Sequence, residues 1–324
     1  MYAESLHRLL SELLPESAVR EIENGAPVAG AWNAIEEAGY LDLLLSEADE
    51  GPGLALPELG ALFRLLGRRA LPLPIASSWV ARRTLPRTAR PDGPVAVATG
   101  RVADDGRVEC ARVPYGALAG HVLVAADECL LLFASRSASL SVPVGDRRGL
   151  AQRCVWSEAQ ALWRQCDGGA VLQAWMAAAT AAQVAGALDT VLEMCLAHCN
   201  QRRQFGKTLS QFQAVQHQLS VMAEHVLAAS MAAELAFDTV EPNPVWLRAA
   251  IAKARTSEAS TLVCAAAHAL HGAIGMTDEY ALGVYTRRVQ EWRMDHGNEG
   301  HWNAAIGARV LADGRSVAEV VIGL

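Results

Sequence analysis

The chain has 324 residues, of which 52% are hydrophobic and 19% charged, a composition that can fill a sizeable core and excludes disordered and fibrous proteins. Its length is enough for two domains or three small ones. The net charge of -7 offers no basic stripe for a phosphate backbone, which excludes a nucleic-acid partner, although a local arginine cluster can still bind a phosphorylated ligand.

Helical periodicity runs through the first part of the chain. Apolar residues recur at steps of three and four between positions 32 and 45, which is the spacing of one helix face. Residues 47–53 (EADEGPG) predict a turn, residues 56–66 a further helix, and prolines between positions 72 and 94 then interrupt helical continuity. We therefore predict an N-terminal helical domain over residues 1–90.

The next part of the chain consists of short apolar runs separated by turn residues. Five runs are typical of strands, at positions 94–98, 120–124, 129–133, 139–144 and 152–156. Several short strands in a small domain bury their apolar faces best by closing on themselves. We predict a small β domain over residues 91–166, built as a barrel or a sandwich.

From residue 167 the pattern is helical again. Asp167 is expected to cap a long helix that ends near residue 200, and Ser210 to open a second, with Gln213 at the spacing of a capping box. Three further helices are predicted near residues 244–271, 278–292 and 301–311. The second helix carries a bundle-type apolar seam, part of which we expect between subunits: Val215, Leu219, Met222 and Val226. Residues 167–324 thus predict a C-terminal four-helix-bundle domain, and the whole chain an α+β fold.

The cysteines give information about compartment and metal binding. Seven are scattered without a CxxC pair, which is not a disulfide framework. Together with an N-terminus that lacks a secretory leader, they predict a cytoplasmic protein. Cys195, His198 and Cys199 lie within one helical turn, but no second cluster offers a fourth ligand, so we predict no metal. The most apolar segment, residues 174–182, is too short for a membrane span and predicts a buried helix.

Two polar connections in the C-terminal part are candidates for ligand binding. Residues 200–207 (NQRRQFGK) place two arginines and a lysine before a helix N-terminus, where they can hold a phosphate; a solvated basic loop is the alternative. Residues 271–277 (HGAIGMT) place two glycines after a helix end, where another surface can approach closely; a plain C-cap and turn is the alternative. The sequence has no P-loop and no GxSxG elbow, and no GxGxxG follows a strand.

The residues around these connections resemble the acyl-CoA dehydrogenase family. Residues 202–216 (RRQFGKTLSQFQAVQ) resemble the family's RxxFGxxLxxFQxxQ signature, and residues 271–280 (HGAIGMTDEY) resemble its HGGxGxTxEY segment. The separation of the two motifs and the helical–β–helical order also fit, and residues 32–67 are similar to the family's opening helices. The resemblance covers nearly the whole chain.

This resemblance implies a flavoprotein oxidoreductase of fatty acid or lipid metabolism, which removes hydrogens from the α and β carbons of an acyl-CoA. It implies FAD at a two-fold subunit interface, with Arg202 at the pyrophosphate, Phe205 near the cofactor and Gln213 on the adenosine side. Gly272 and Gly275 then let the cofactor approach the second loop. A forked guanidinium suits a pyrophosphate better than a lysine does, although Gln213 has a competing role in the capping box.

The catalytic base is the least determined part of the site. Dehydrogenation needs a carboxylate that takes the α-proton while hydride passes to the flavin. The family places this glutamate in an xEG segment, where counting from Gly272 gives His296 and a small shift gives Glu299. The resemblance implies Glu299 as the base, with His296 and Asp295 behind it; Met176, at the position that some members use, cannot serve. An ordinary polar turn, as in subunits without a base, is the alternative.

Three departures from the family pattern bear on function. Ala269 stands where the family has a flavin-contacting glutamine, Ala273 replaces the second glycine, and the central part has no WxTS-like or YCVTEP-like stretch. We predict an FAD-dependent acyl-CoA dehydrogenase that forms a homodimer or homotetramer and reduces an electron-transfer acceptor protein. The alternatives are a non-catalytic or FAD-poor subunit of a heteromeric dehydrogenase, completed by a longer homologous subunit, and a helical binding protein without flavin.

Overall fold

The computed structural model describes residues 2–145, 150–314 and 318–319. The helices are α1 (Tyr2–Leu13), α2 (Glu16–Glu23), α3 (Ala29–Glu37), α4 (Leu56–Arg68), α5 (Ile75–Thr84), α6 (Gly169–Gln201), α7 (Gln213–Leu235), α8 (Trp246–His271), α9 (Leu282–Met294) and α10 (Glu299–Asp313). The strands are β1 (Val95–Val102), β2 (Arg107–Val113), β3 (His121–Ala126), β4 (Cys129–Ala134), β5 (Leu140–Pro143), β6 (Gln152–Ser157), β7 (Trp163–Cys166), β8 (Arg203–Gln204) and β9 (Lys207–Thr208).

The chain divides into two compact units. The first comprises Met1–Leu62, Leu71–Met176 and Val240–Trp246, and the second comprises Phe63–Ala70, Ala177–Thr239 and Leu247–Leu324. In the element order, helices run to Thr84, strands follow, and helices resume at Gly169. The helical, β and helical arrangement of the α+β fold is confirmed, while the division into domains at residues 90 and 166 stays a prediction.

In the first unit, helix α5 is fixed to the start of β1. Residues 75–81 of this helix are all buried, so its two serines need internal partners. The hydroxyls of Ser77 and Ser78 donate to the carbonyl of Val95 at 2.8 and 3.1 Å, and the Ser78 oxygen accepts from the Val95 amide at 2.9 Å. These bonds satisfy the buried hydroxyls and join the N-terminal helices to the sheet.

The strands β1–β7 of the first unit form one mixed sheet in the order β5-β6-β2-β1-β3-β4-β7. β1 pairs with β3 in parallel, and the other neighbouring pairs are antiparallel. All five predicted strands are present. β2 and β7 were not predicted, because charged and polar residues such as Arg107 and Arg164 interrupt their apolar pattern.

This sheet curves around its own core. Phe133 on β4 and Trp156 on β6 stack with ring centroids 5.1 Å apart, although three strands separate β4 from β6 in the sheet. The Trp156 indole also donates to the carbonyl of Ala134 at 3.2 Å. Such contacts require the two halves of the sheet to face each other, as predicted for a small barrel or sandwich.

In the second unit, α6, α7, α8 and α9 pack around one apolar core, which confirms the predicted bundle. Leu219, Met222 and Val226 of α7 are buried in this core, so the expectation that these residues lie between subunits is wrong. The predicted capping box at Ser210 is also wrong. A 3-10 turn occupies Leu209–Gln211, and α7 begins at Gln213 with Phe212 at the N-cap position and no side-chain cap.

Two stretches, Gly169–Gln201 and Trp246–Met276, are long and apolar enough to cross a membrane by length and composition alone. In the first, 89% of the most apolar window is buried inside the protein, which is the environment of a core helix. All seven cysteines are free thiols. The cytoplasmic location stays a prediction.

Candidate functional site

The first motif forms a tight hairpin between α6 and α7. Strands β8 and β9 pair through a two-residue turn in which Phe205 has a φ of 51° and Gly206 a φ of 81°. Two left-handed residues define a type I′ turn, which suits glycine but costs a bulky residue about 1–2 kcal/mol. The Phe205 side chain is nevertheless 93% exposed. Neither backbone preference nor burial explains a phenylalanine at this position.

Arg202 lies between the end of α6 and this hairpin. Its amide donates to the His198 carbonyl at 2.8 Å and its carbonyl accepts from the Leu209 amide at 2.9 Å, so its backbone is held on both sides. Its side chain is exposed and makes no hydrogen bond or ion pair with the residues that the structure describes. Arg203, in contrast, donates to the carbonyl of its own turn residue Gly206 at 3.4 Å.

Two further residues of the first motif lie on β9 and at the start of α7. The Lys207 ammonium lies 4.2 Å from the centroid of the Phe212 ring, a cation–π contact within the loop. Gln213 is the first residue of α7 and is exposed, with no side-chain cap before it. Because α7 begins at Gln213 and not at Ser210, the competing capping role disappears and Gln213 is available to a ligand.

The second motif continues α8 as a 3-10 turn over Gly272–Met276. Gly272 is exposed with a φ of 62°, and a Cβ added there would meet no atom within 4 Å. Gly275 is buried, and a Cβ there would lie 2.9 Å from the Cβ of His271 and 3.1 Å from a methyl group of Leu282. Internal packing therefore requires a small residue at position 275, whereas position 272 faces open space.

A histidine stack connects the two motifs. The rings of His198 and His271 stack with centroids 4.4 Å apart. His198 lies one helical turn before Arg202, and His271 directly precedes Gly272. Nδ1 of His271 lies 2.8 Å from the Ala267 carbonyl and donates to it, which leaves Nε2, at 3.2 Å, to accept from the Tyr280 hydroxyl. Burial lowers the pKa of both imidazoles and therefore favours their uncharged forms. Sequence reasoning missed this pair, which spacing alone cannot reveal.

The predicted base residues lie on the turn between α9 and α10. Glu299 is the first residue of α10, and both of its carboxylate oxygens accept from Arg293, with Nε to Oε2 at 2.9 Å and a second, shorter bond from Nη2 to Oε1. This guanidinium lowers the pKa of Glu299 below its ordinary value. The helix N-terminus favours the same ionised form. Glu299 is thus a stable carboxylate but a weak proton acceptor.

A buried lysine stabilises the same turn. Lys253 is fully buried, and its ammonium donates to the Ser257 hydroxyl at 3.0 Å and to the carbonyls of Arg293 and Gly297 at 2.9 and 2.8 Å. Burial lowers its pKa to about 7, against the attraction of Asp295 and Glu299. These bonds fix the backbone that carries the base candidates.

His296 and Asp295 differ in accessibility. His296 has a φ of 57°, is half-buried, and its carbonyl accepts from the Trp302 indole at 2.9 Å. Asp295 is buried, at 4% exposure. Of the three candidates, Asp295 is the least accessible to a substrate.

No three histidine, cysteine, aspartate or glutamate side chains are grouped as metal ligands within the described ranges. Cys195 and Cys199 are buried in the core of the bundle, and His198 belongs to the histidine stack.

Comparison with known proteins bears on these motifs. Residues 173–311 match the model of the acyl-CoA dehydrogenase C-terminal domain. The chain is 27% identical to the acyl-CoA dehydrogenase IpdE2 of Mycobacterium tuberculosis over 264 residues, which cover 80% of this chain and 79% of IpdE2. It is 28% identical to the acyl-CoA dehydrogenase FadE34 of the same organism over 321 residues, 88% of this chain but only 44% of that longer protein.

Solved structures show the same fold. The ChsE4-ChsE5 complex from Mycobacterium tuberculosis superposes with a TM-score of 0.82 at 18% identity, covering 97% of both chains. The matched family model includes both loop motifs and the turn that carries Glu299.

Proposed function

We propose that the chain is a member of the acyl-CoA dehydrogenase family of oxidoreductases and that it catalyses the FAD-dependent α,β-dehydrogenation of an acyl-CoA thioester. The observation that carries this proposal is the hairpin after α6. There Arg202 extends without a hydrogen-bond or ion-pair partner among the described residues, beside an exposed Phe205 in a left-handed turn. A solvated basic loop needs no exposed phenylalanine in a strained conformation, whereas a loop that closes over a bound molecule does.

The residues around the hairpin fit the phosphate end of FAD. A guanidinium offers two parallel donors to a pyrophosphate, and the uncapped first turn of α7 offers backbone amides, with Gln213 beside them. The histidine stack places the open turn at Gly272 next to the end of α6, where a cofactor can approach. When bound, the flavin would accept the hydride that leaves the β carbon of the substrate.

We propose Glu299 as the group that takes the α-proton. Lys253 fixes the turn before it, and Arg293 holds its carboxylate ionised and oriented. The ion pair with Arg293 also reduces its basicity, so its effectiveness as a base depends on how far that contact loosens when substrate binds. A base works best when its pKa lies near the operating pH.

The same ion pair favours a second candidate function, that of an FAD-poor subunit of a heteromeric dehydrogenase whose base comes from the other chain. Ala269 and Ala273, in place of a flavin-contacting glutamine and a glycine, support this alternative, as does the similarity to a complex of two chains. For either function we propose a dimer or a dimer of dimers with two-fold symmetry, in which Arg202 serves a neighbour's cofactor and electrons pass to an acceptor protein. A monodisperse monomer in light scattering would contradict this assembly.

Flavin binding is tested by the matched variants Arg202→Ala and Arg203→Ala. Losing a charge-assisted pair of hydrogen bonds costs about 1.5–3 kcal/mol, roughly ten- to hundredfold in affinity. Because the Arg203 guanidinium is turned back onto the Gly206 carbonyl, only Arg202→Ala should lose flavin to this extent. Flavin absorbance of the purified proteins gives the occupancy, and equal occupancy in both variants would reject the role of Arg202.

The two candidate functions are separated by assaying the chain expressed alone. Acyl-CoAs of different chain length and ring structure are supplied with an artificial electron acceptor, and turnover is measured with and without a co-expressed longer homologue. Full flavin content and turnover of the chain alone support the simple enzyme. A colourless, inactive homodimer that becomes yellow and active with the second chain supports the heteromeric subunit.

A further inference from the structure

Two cysteine thiols meet at the edge of the curved sheet in the first unit. Cys129 begins β4, Cys166 ends β7, and the strand register places them directly opposite each other. Their sulfur atoms are 3.2 Å apart. The amide of Asp167 donates to the Glu128 carbonyl at 2.9 Å, so Glu128 and Asp167 form a hydrogen-bonded pair that extends the two strands. Hydrogen-bonded and non-hydrogen-bonded pairs alternate along antiparallel strands, so Cys129 and Cys166, the next pair, are at a non-hydrogen-bonded position. Cα atoms at such positions are about 4.5 Å apart, within the range that a disulfide spans.

The surroundings of this pair allow oxidation. Cys166 is exposed and Cys129 half-buried, so a small oxidant can reach both sulfurs. The Arg164 guanidinium, on the same strand as Cys166, lies 3.6 Å from the Cys129 sulfur, where it favours the thiolate. Contact between the two thiols acts in the opposite direction and raises the pKa of Cys129. Oxidation should therefore accelerate with rising pH.

A second cross-strand pair provides an internal comparison. Cys110 on β2 and Cys154 on β6 are also directly opposite each other, but both are buried in the core of the sheet. Burial raises the pKa of Cys110 to about 12, so that its thiolate is scarce at neutral pH. Facing positions are thus common to both pairs, whereas access and a neighbouring cation distinguish Cys129 and Cys166.

We propose that Cys129 and Cys166 form a reversible disulfide when the protein meets a peroxide. One thiolate attacks a peroxide oxygen and becomes a sulfenic acid, and with hydrogen peroxide the other oxygen leaves as water. The second thiolate attacks the sulfenic sulfur, the S–S bond forms, and a second water leaves. Two electrons pass from the sulfurs to the peroxide, and a dithiol reverses the bond by exchange. The bond ties β7, an edge strand of four residues, to β4 directly before α6 begins.

The test uses the full chain, reduced, desalted and treated with hydrogen peroxide at increasing pH. Thiols are counted with Ellman's reagent after denaturation, and the count is expected to fall from seven to five and to return to seven with dithiothreitol. Digestion with trypsin and Asp-N without reductant should yield residues 127–136 linked to the dipeptide of residues 165–166. Cys166→Ser should abolish this linkage, while Cys199→Ser, a buried control, should retain it.

Three results would overturn the proposal. The first is a count of seven thiols after peroxide treatment at pH 8, and the second is a linkage that maps to Cys110 and Cys154. The third is a covalent dimer on a non-reducing gel that disappears in Cys166→Ser, because the bond would then join two chains. Peptide mapping of the unmodified chain decides the question even where a serine variant folds poorly.

Discussion

Lys253 offers a sharp test of how the turn before Glu299 is stabilised. The chain has only two lysines among its 28 basic residues, and Lys253 is fully buried with three hydrogen bonds. Methionine has a similar length and no donor, so Lys253→Met removes the charge and the bonds while largely filling the space. The carbonyls of Arg293 and Gly297 then lose a donor, at about 1–3 kcal/mol for each buried group.

The effect of this substitution should depend on pH. Burial lowers the pKa of Lys253 from 10.5 to about 7, so between these values the unfolded chain binds more protons than the folded one. In that window the contribution of this lysine to the free energy of unfolding rises with pH, by up to about 1.36 kcal/mol per unit. The methionine variant lacks this contribution. Its destabilisation relative to the unmodified chain should therefore grow by about 2 kcal/mol between pH 7 and pH 9.

Urea unfolding at pH 7, 8 and 9, monitored by tryptophan fluorescence at one protein concentration, measures the difference in the free energy of unfolding between Lys253→Met and the unmodified chain. The matched control is Lys207→Met, which changes the other lysine of the chain, an exposed one. Labelling with ¹³C-lysine gives two Cε resonances, and the one lost in Lys253→Met should titrate near pH 7. Parallel stability curves for the unmodified chain and Lys253→Met would refute the reasoning.

Three further predictions follow from single contacts. If Glu299 is the base, Glu299→Gln should reduce turnover by about 10²–10⁴-fold while flavin absorbance is retained; undiminished turnover would move the base to another residue or chain. Arg293→Met should shift the acidic limb of the pH profile of kcat/KM to higher pH, because Arg293 lowers the pKa of Glu299; an unshifted limb would show that the ionisation of Glu299 does not control the rate. Gly186→Ala should destabilise the second unit by about 1–3 kcal/mol or more in urea unfolding, since the added Cβ would lie 2.1 Å from the Arg64 carbonyl oxygen. In the control Gly307→Ala the added Cβ meets no atom within 4 Å, and the substitution should stabilise α10 by up to about 1 kcal/mol. Equal changes in stability for the two variants would contradict a close approach of Gly186 to the Arg64 backbone.

The sequence predicts the elements whose pattern is local. Continuous apolar runs identify β1, β3 and β4, and the seam of α7 identifies a helix of a bundle. The sequence does not predict β2, because its buried residues alternate with Arg107 and Glu109. It does not predict β7, because a four-residue edge strand needs few apolar residues. The spacing of Ser210 and Gln213 satisfies the rule for a capping box, yet a 3-10 turn occupies that position and delays the helix by two residues, with Phe212 as the N-cap.

Contacts between distant parts of the chain cannot be predicted from hydrophobic periodicity. The stack of His198 on His271 joins two motifs that are far apart in sequence, and the local pattern around each histidine does not indicate that the two rings meet. Lys253 shows no special spacing either, because its partners include two backbone carbonyls that any sequence can supply. Motif spacing predicts where ligands approach, but these side chains, which hold the motifs in place, become visible only in the folded chain.

Glu299 shows why residue type is an incomplete guide to chemistry. The motif requires a carboxylate after the fourth helix of the bundle, and the turn at residues 295–299 supplies two of them. Whether either can accept a proton depends on Arg293, whose guanidinium engages Glu299, and on the burial of Asp295. An ion pair that stabilises the ionised form opposes the protonation that catalysis requires. If Glu299 is the base, we therefore expect substrate binding to weaken its contact with Arg293; if that contact persists, we expect the base to come from a partner chain.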